Sequence, residues 1–179
     1  MNIIVIFNSK TGFTKRYAEW IAEELACDTL PYKDFTSDAV SGKDVVIFGT
    51  RIHAGIVEHL NKIKTYFNNP AKQKFIVFAT GGTPNEAESV INNIWVNNLS
   101  ESERKTIPHF YMQSGLNYEK MGFIDKKLMK MAAWFMGKKK NKNDHEAGHA
   151  QAIQKSYDVA KKERIFPLVC YVKDKLTSV

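Results

Sequence analysis

Ile3-Ile4-Val5-Ile6-Phe7-Asn8-Ser9-Lys10-Thr11-Gly12-Phe13-Thr14 is the stretch that decides the fold of this chain. Its first five residues form an unbroken apolar run rich in β-branched side chains, which predicts a strand buried on both faces. The chemistry then changes at once. Hydroxyls at Ser9, Thr11 and Thr14 surround a single Gly12, and an amphipathic pattern follows. A strand–loop–helix turn of this kind aims backbone N–H groups and the positive end of a helix dipole at one spot beyond the strand. That spot suits a phosphate. The same residues also read as a plain helix cap, because Ser and Thr are ordinary N-cap residues.

Two phosphate loops are excluded by spacing. No Gly-Lys-Ser/Thr follows four residues after a first glycine, and Gly12 stands alone where a dinucleotide fingerprint needs three glycines. The pattern present is Ser-x-Thr-Gly-x-Thr directly after a strand ending at Phe7. In this, the segment from Val5 to Thr14 resembles the FMN phosphate loop of the flavodoxin family. That resemblance implies FMN held by Ser9, Lys10, Thr11, Gly12, Phe13 and Thr14, through hydroxyls and backbone amides rather than cations.

Outward from this loop, the chain alternates strand and helix. A helix is predicted over Phe13 to Ala26, with Ala18, Ile21, Ala22 and Leu25 on one face. A weak edge strand follows over Thr29 to Tyr32, where Pro31 is tolerated. Asp44 to Gly49 reads as a strand, Thr50 to Gly55 as a loop, and the next residues to about Asn69 as a helix. Phe75 to Ala79 is a strand, Thr80 to Pro84 a loop, and Asn85 to about Leu99 a helix. Ile107 to Met112 makes a fifth strand, a helix is expected from about Asp144 to Arg164, and a short tail ends the chain. The alternation predicts one doubly wound α/β domain over 1–179, with a five-stranded parallel sheet in flavodoxin-like order 2-1-3-4-5. A basic amphipathic helical insertion of about 118–143 follows strand five.

In such a sheet, ligands collect at the carboxyl ends of the strands. The candidate cofactor residues beyond the first loop are therefore Thr50, Arg51, Ile52, His53, Ala54 and Gly55, then Thr80, Gly81, Gly82 and Thr83, then Ser114 and Gly115. The segment Thr50 to Gly55 is expected to be small and flexible, so that its backbone can approach a flat ring. Flavodoxins often sandwich the ring between aromatic side chains in the second and third loops, and neither loop has one here. Ile52 or His53 is the available substitute for stacking, or one ring face stays open to an organic substrate. Arg51 and His53 could stabilise a reduced anionic flavin, or could simply be solvated. No catalytic residue is assigned.

The 179 residues are 44% hydrophobic and 25% charged, ordinary proportions for a globular domain. No apolar run approaches a membrane span, and the start shows no secretory leader, so a cytoplasmic location is expected. Cys27 and Cys170 have neither CxxC spacing nor neighbouring ligands and are expected to be reduced.

The net charge of +7 is local. Between Lys120 and Lys142, eight lysines face one acid, Asp125, so that segment alone accounts for it. Ile124, Leu128, Met131 and Phe135 follow helical spacing beside Trp134, with Lys126 and Lys130 opposite. Such a face can pack on its own domain, or meet a quinone, a partner or an anionic membrane from the cytoplasmic side. Nucleic acid is not expected, because no recognition motif accompanies the lysines.

Arg51-Ile52-His53-Ala54-Gly55 and Ser114-Gly115-Leu116-Asn117-Tyr118, with Phe123-Ile124-Asp125-Lys126-Lys127-Leu128-Met129-Lys130-Met131, are similar to segments of the bacterial menaquinone-dependent protoporphyrinogen dehydrogenases. This narrower resemblance implies oxidation of a porphyrinogen, with electrons passed through FMN to a quinone. The alternative is a flavodoxin acting as a soluble carrier between redox proteins, although carriers of that family are typically acidic and this chain has pI ≈ 9.3. A redox sensor without turnover is a third possibility. His145-Glu146-Ala147-Gly148-His149 fits the zinc-protease pattern H-E-x-x-H. It opens a surface helix, Gly148 weakens that helix and the longer metzincin continuation is missing, so no metal site is expected.

Overall fold

A computed structural model describes residues 1–67, 73–117, 119–120, 122, 127 and 156–176. It divides into two units, Met1–Ser114 with Ala160–Val179, and Gly115–Val159.

In the first unit, parallel strands β1 (Ile3–Asn8), β2 (Asp28–Pro31), β3 (Val45–His53), β5 (Lys74–Gly81) and β6 (His109–Gln113) lie in the order β2-β1-β3-β5-β6. A two-residue strand, β4 (Ile56–Val57), pairs antiparallel with the end of β3. Counting parallel strands alone, this is the expected 2-1-3-4-5 order.

The apolar runs are continuous because alternate residues feed two cores. Ile3, Val5 and Phe7 of β1, with Val45, Ile47, Ile76 and Phe78, pack on α1 (Phe13–Leu25) and on a helix near the C-terminus, α5 (Phe166–Leu176). Ile4 and Ile6, with Val46, Phe48, Phe75 and Val77, face the opposite way. There they meet α2 (Leu60–Ile63) and α3 (Glu88–Asn98) through Leu60, Ile63 and Trp95. A period-2 strand with apolar residues at every position therefore needs helices on both faces, and it has them. Gly49 is fixed by packing: a Cβ there would run into the Phe78 ring. β2 is the exposed edge, its first two residues open to solvent, as Pro31 requires.

Several boundaries differ from expectation. β3 does not stop at Gly49 but continues through His53, so Thr50 to His53 are strand rather than flexible loop. The hairpin with β4 supplies the reason, pairing Ile52 with Val57 and His53 with Ile56. Thr80 and Gly81 likewise belong to β5, where Thr80 pairs with Arg51 and Met112. The helix expected to about Asn69 is only α2 followed by a 3-10 turn over Lys64–Phe67; residues 68–72 lie outside those described. α3 starts at Glu88 rather than Asn85, and a further short helix, α4 (Glu101–Thr106), opens with a reciprocal Ser100–Glu103 capping box.

Near the C-terminus the difference is larger. Tyr157–Asp158 is a strand (β8), not the last turns of a helix from Asp144 to Arg164. The "tail" is α5, whose approach and length place Ile165, Leu168, Val169 and Val172 in the core. Those four positions follow i, i+3, i+4, i+7 spacing, and Pro167 is tolerated in the first turn.

In the second unit, β7 (Gly115–Leu116) pairs antiparallel with β8. The amphipathic course from Ile124 to Phe135 and the H-E-x-x-H segment lie outside the described residues, as does most of 118–143. Among the described residues, no helix is long and apolar enough to cross a membrane. Both cysteines are free; Cys27 is half-buried, and burial pushes its thiol up to about 11, away from reactive thiolate chemistry.

Candidate functional site

The loop after β1 is built around one backbone conformation. Gly12 adopts φ 97° as the residue preceding α1, a left-handed position that glycine occupies without steric cost. Its N–H donates to Ser9 Oγ at 3.2 Å, closing the loop. No side chain caps the thirteen-residue helix that follows, and its first turn contains no acid. The helix therefore presents its dipole end and amide donors beside the Ser9 and Thr11 hydroxyls, a donor set that fits a phosphate dianion.

The expected loop residues divide into two groups. Lys10 and Gly12 are exposed, and Ser9 and Thr11 are half-buried. Phe13 and Thr14 are buried. Phe13 can therefore offer its backbone, while its ring takes the Arg16 guanidinium at 5.4 Å. Thr14 Oγ1 lies 2.8 Å from Thr80 Oγ1, both side chains buried. This hydroxyl pair fastens the start of α1 to the carboxyl end of β5. It brings together two site segments that are 66 residues apart in sequence.

The second segment is rigid rather than flexible. Ala54 and Gly55 make the hairpin turn at positive φ, 49° and 80°. Buried Asn98 of α3 clamps it, donating to Gly55 O and accepting from Val57 N, each at 2.8 Å. Ile52 turns into the core, whereas the His53 side chain is 38% exposed. Both stacking substitutes are half-buried at the strand end.

Arg51 is not simply solvated. Its Nε donates to Glu58 Oε2 at 2.9 Å and its Nη2 to Oε1 at 2.6 Å, a bidentate fork. Asn8, the last residue of β1, donates from Nδ2 to Glu58 Oε2 and to Thr50 Oγ1, each at 3.1 Å. His53 Nδ1 stands 3.6 Å from Glu58 Oε1. Burial pushes the Glu58 carboxyl up, but Arg51, Asn8 and His53 outweigh it and hold the group below its ordinary range. Asn8 and Glu58 have no motif to mark them in the sequence. They become visible only when β1 and β3 lie side by side, with Asn8 opposite Thr50.

The third segment is anchored by β6. Tyr111 Oη donates to Thr83 O at 2.7 Å, Gln113 N donates to Asn85 Oδ1 at 2.9 Å, and Ser114 N donates to Gly81 O at 2.8 Å. Gln113 O in turn accepts from buried Tyr17 Oη at 2.6 Å and from Arg164 Nη1 at 2.9 Å. Ser114 is buried with its Oγ on Gly81 O at 3.2 Å. Gly81, Gly82 and Thr83 are half-buried at the strand end. Gly115 belongs to β7 of the second unit.

A doubly wound parallel sheet with a phosphate-fitting loop after its first strand defines a nucleotide-type cofactor protein of the α/β class. A model of the flavodoxin domain matches residues 4–143, and the chain belongs to that family. FMN is its cofactor and its role is redox. Among solved structures, the chain is similar to a candidate flavoprotein from Bacteroides eggerthii, at 17% identity over 62% of this chain and 85% of that one, with TM-score 0.44. It is also similar to a flavodoxin from the domain Archaea, at 13% identity over 87% and 100% of the two chains, with TM-score 0.38. Oxidised Flavodoxin 2 from Bacillus cereus matches at 14% identity over 86% and 98%, with TM-score 0.39. No curated protein matches the chain.

Proposed function

We propose that the protein is an FMN-dependent oxidoreductase that oxidises a porphyrinogen or a similar organic substrate and passes the electrons to a quinone. Ser9, Thr11 and the backbone of Gly12 to Thr14 would hold the FMN phosphate. The rims Thr50 to Gly55 and Thr80 to Thr83, with Ser114, would flank the ring. Bound FMN supplies electron transfer between donor and acceptor, and the protein sets its potential by hydrogen bonds and nearby charge.

The observation that carries the reading is the charge of +7 concentrated between Lys120 and Lys142. A carrier that docks on basic redox partners is served by an acidic face, and this chain has the opposite sign. A lysine-, methionine- and aromatic-rich segment suits a planar, apolar, anionic substrate and an anionic membrane surface from which a quinone is drawn.

The test is quinone-coupled oxidation of protoporphyrinogen by the FMN-loaded protein, with a redox-protein acceptor assayed in parallel. Quinone-dependent turnover that falls at least tenfold on deleting 120–142, with FMN still bound, is the expected result. Electron delivery to proteins alone, with no organic substrate oxidised, would assign the chain to the carriers instead. Flotation with anionic vesicles tests the membrane contact separately; binding that does not weaken when the lysines are replaced sinks that part.

A further inference from the structure

We infer that Glu58 is a positioning residue of the flavin site, cancelling the charge of Arg51 and tying the β3–β4 hairpin to the end of β1; the inference rests on the FMN reading above. The carboxylate stands between two strand ends, and each of them leads into a candidate site segment. Asn8 closes β1 immediately before Ser9, and its Nδ2 reaches both Glu58 Oε2 and the buried Thr50 hydroxyl at 3.1 Å. Arg51 delivers both prongs of its guanidinium to the same carboxylate, at 2.9 and 2.6 Å. The Glu58 N–H also donates to Arg51 O at 3.2 Å, so backbone and side chain close the hairpin together. His53 Nδ1 lies 3.6 Å from Oε1, on the open side of the same group.

This arrangement has an electrostatic consequence beyond its mechanical one. The Arg51 and Glu58 side chains are only 17% and 23% exposed, so solvent screens them incompletely. While both are ionised, the pair is formally neutral, and the rim offers the cofactor hydrogen-bonding geometry without a bare charge. Removing either partner changes the net charge of a partly buried rim by one unit, in opposite senses. Reduction adds electrons to FMN, so loss of the carboxylate favours the reduced cofactor and loss of the guanidinium the oxidised one. The two single substitutions must therefore act in opposite directions.

The experiment measures FMN affinity of the apoprotein by fluorescence quenching, and the midpoint potential by photoreduction against reference dyes. Wild type, Glu58→Gln, Arg51→Met and the double variant are compared. The ratio of affinities for reduced over oxidised FMN should rise in Glu58→Gln and fall in Arg51→Met. Each change should be about tenfold, the order expected for one unscreened charge near the site. In the double variant it should return to within about twofold of wild type, because removing both charges leaves the net charge of the rim as it was. A merely structural role would weaken FMN binding in both single variants without shifts of opposite sign, and that result overturns the inference. A double variant that stays displaced does so as well. Should Glu58→Gln not fold, the sign of the Arg51→Met shift decides alone. Failure of the underlying reading looks different: wild-type apoprotein would take up no FMN, which sinks both, whereas FMN uptake with unmoved ratios sinks only the role of Glu58.

Discussion

The loop after β1 and the hairpin after β3 lie at the same carboxyl end of the sheet but are built on different physics. The first uses hydroxyls, one left-handed glycine and the amides of a helix that no side chain caps. The second is an ionic lattice in which Glu58 gathers Arg51, Asn8 and His53. The difference teaches a division of labour. Dipoles fixed by backbone geometry can hold a phosphate of constant charge, while paired charges can tune a ring whose charge changes during turnover.

The contrast is broken most forcefully at Gly12. A β-branched side chain cannot easily follow φ 97°, and forcing it there costs about 1–3 kcal/mol besides disturbing the amide cradle. Gly12→Val should raise the FMN dissociation constant about 100-fold in a fluorescence titration; near-normal affinity would show that the loop conformation is not what binds the cofactor. Next in size is Thr80→Val, which strands the buried Thr14 hydroxyl. The apoprotein should lose about 1–3 kcal/mol in urea unfolding, and an unchanged midpoint would mean that the two segments are not fastened there. Ser9→Ala removes one loop-closing acceptor, so FMN affinity should fall only about three- to tenfold.

The smallest effect sharpens the ionic side. Glu58 has a folded-state pKa below its ordinary value, so its contribution to stability is full above the unfolded pKa and is lost as pH falls through the folded one. Comparing apoprotein melting temperatures, the advantage of wild type over Glu58→Gln should be constant from neutral pH down to about 5 and shrink in more acidic buffer. A gap that widens on acidification would contradict the ion-pair assignment.

How much of this could be read from the sequence follows from the range of the interactions. Ile3 to Phe7, Asp44 to Gly49 and Phe75 to Ala79 are legible because strands buried on both faces write themselves as unbroken apolar runs. The Ser9-to-Thr14 loop is legible because its parts are adjacent in the chain. The continuation of β3 through His53 is not, since a strand end that carries Arg and His has no apolar pattern and is held by β4 and Asn98. Glu58, Asn8, Gln113 and Arg164 are silent for the same reason: their partners lie 28 to 96 residues away, except for the short steps from Glu58 to Arg51 and His53. α5 is a different kind of miss. Ile165, Leu168, Val169 and Val172 do spell a helix, but Pro167 in the middle disguises its first turn as a tail.

Tyr17 has a consequence for the evolution and engineering of the chain. Its buried hydroxyl donates to Gln113 O at 2.6 Å and accepts from Lys161 N at 3.3 Å. The chain therefore leaves the first unit and re-enters it within two hydrogen bonds of a single atom. Such a doorway is a natural graft point, because whatever lies between 114 and 160 can be exchanged without stretching the scaffold. A variant joining Ser114 to Ala160 by a short Gly/Ser linker should keep the unfolding cooperativity and FMN uptake of the parent. The same fixed frame would then accept segments of other chemistry without a change to the strands and helices that close around Tyr17.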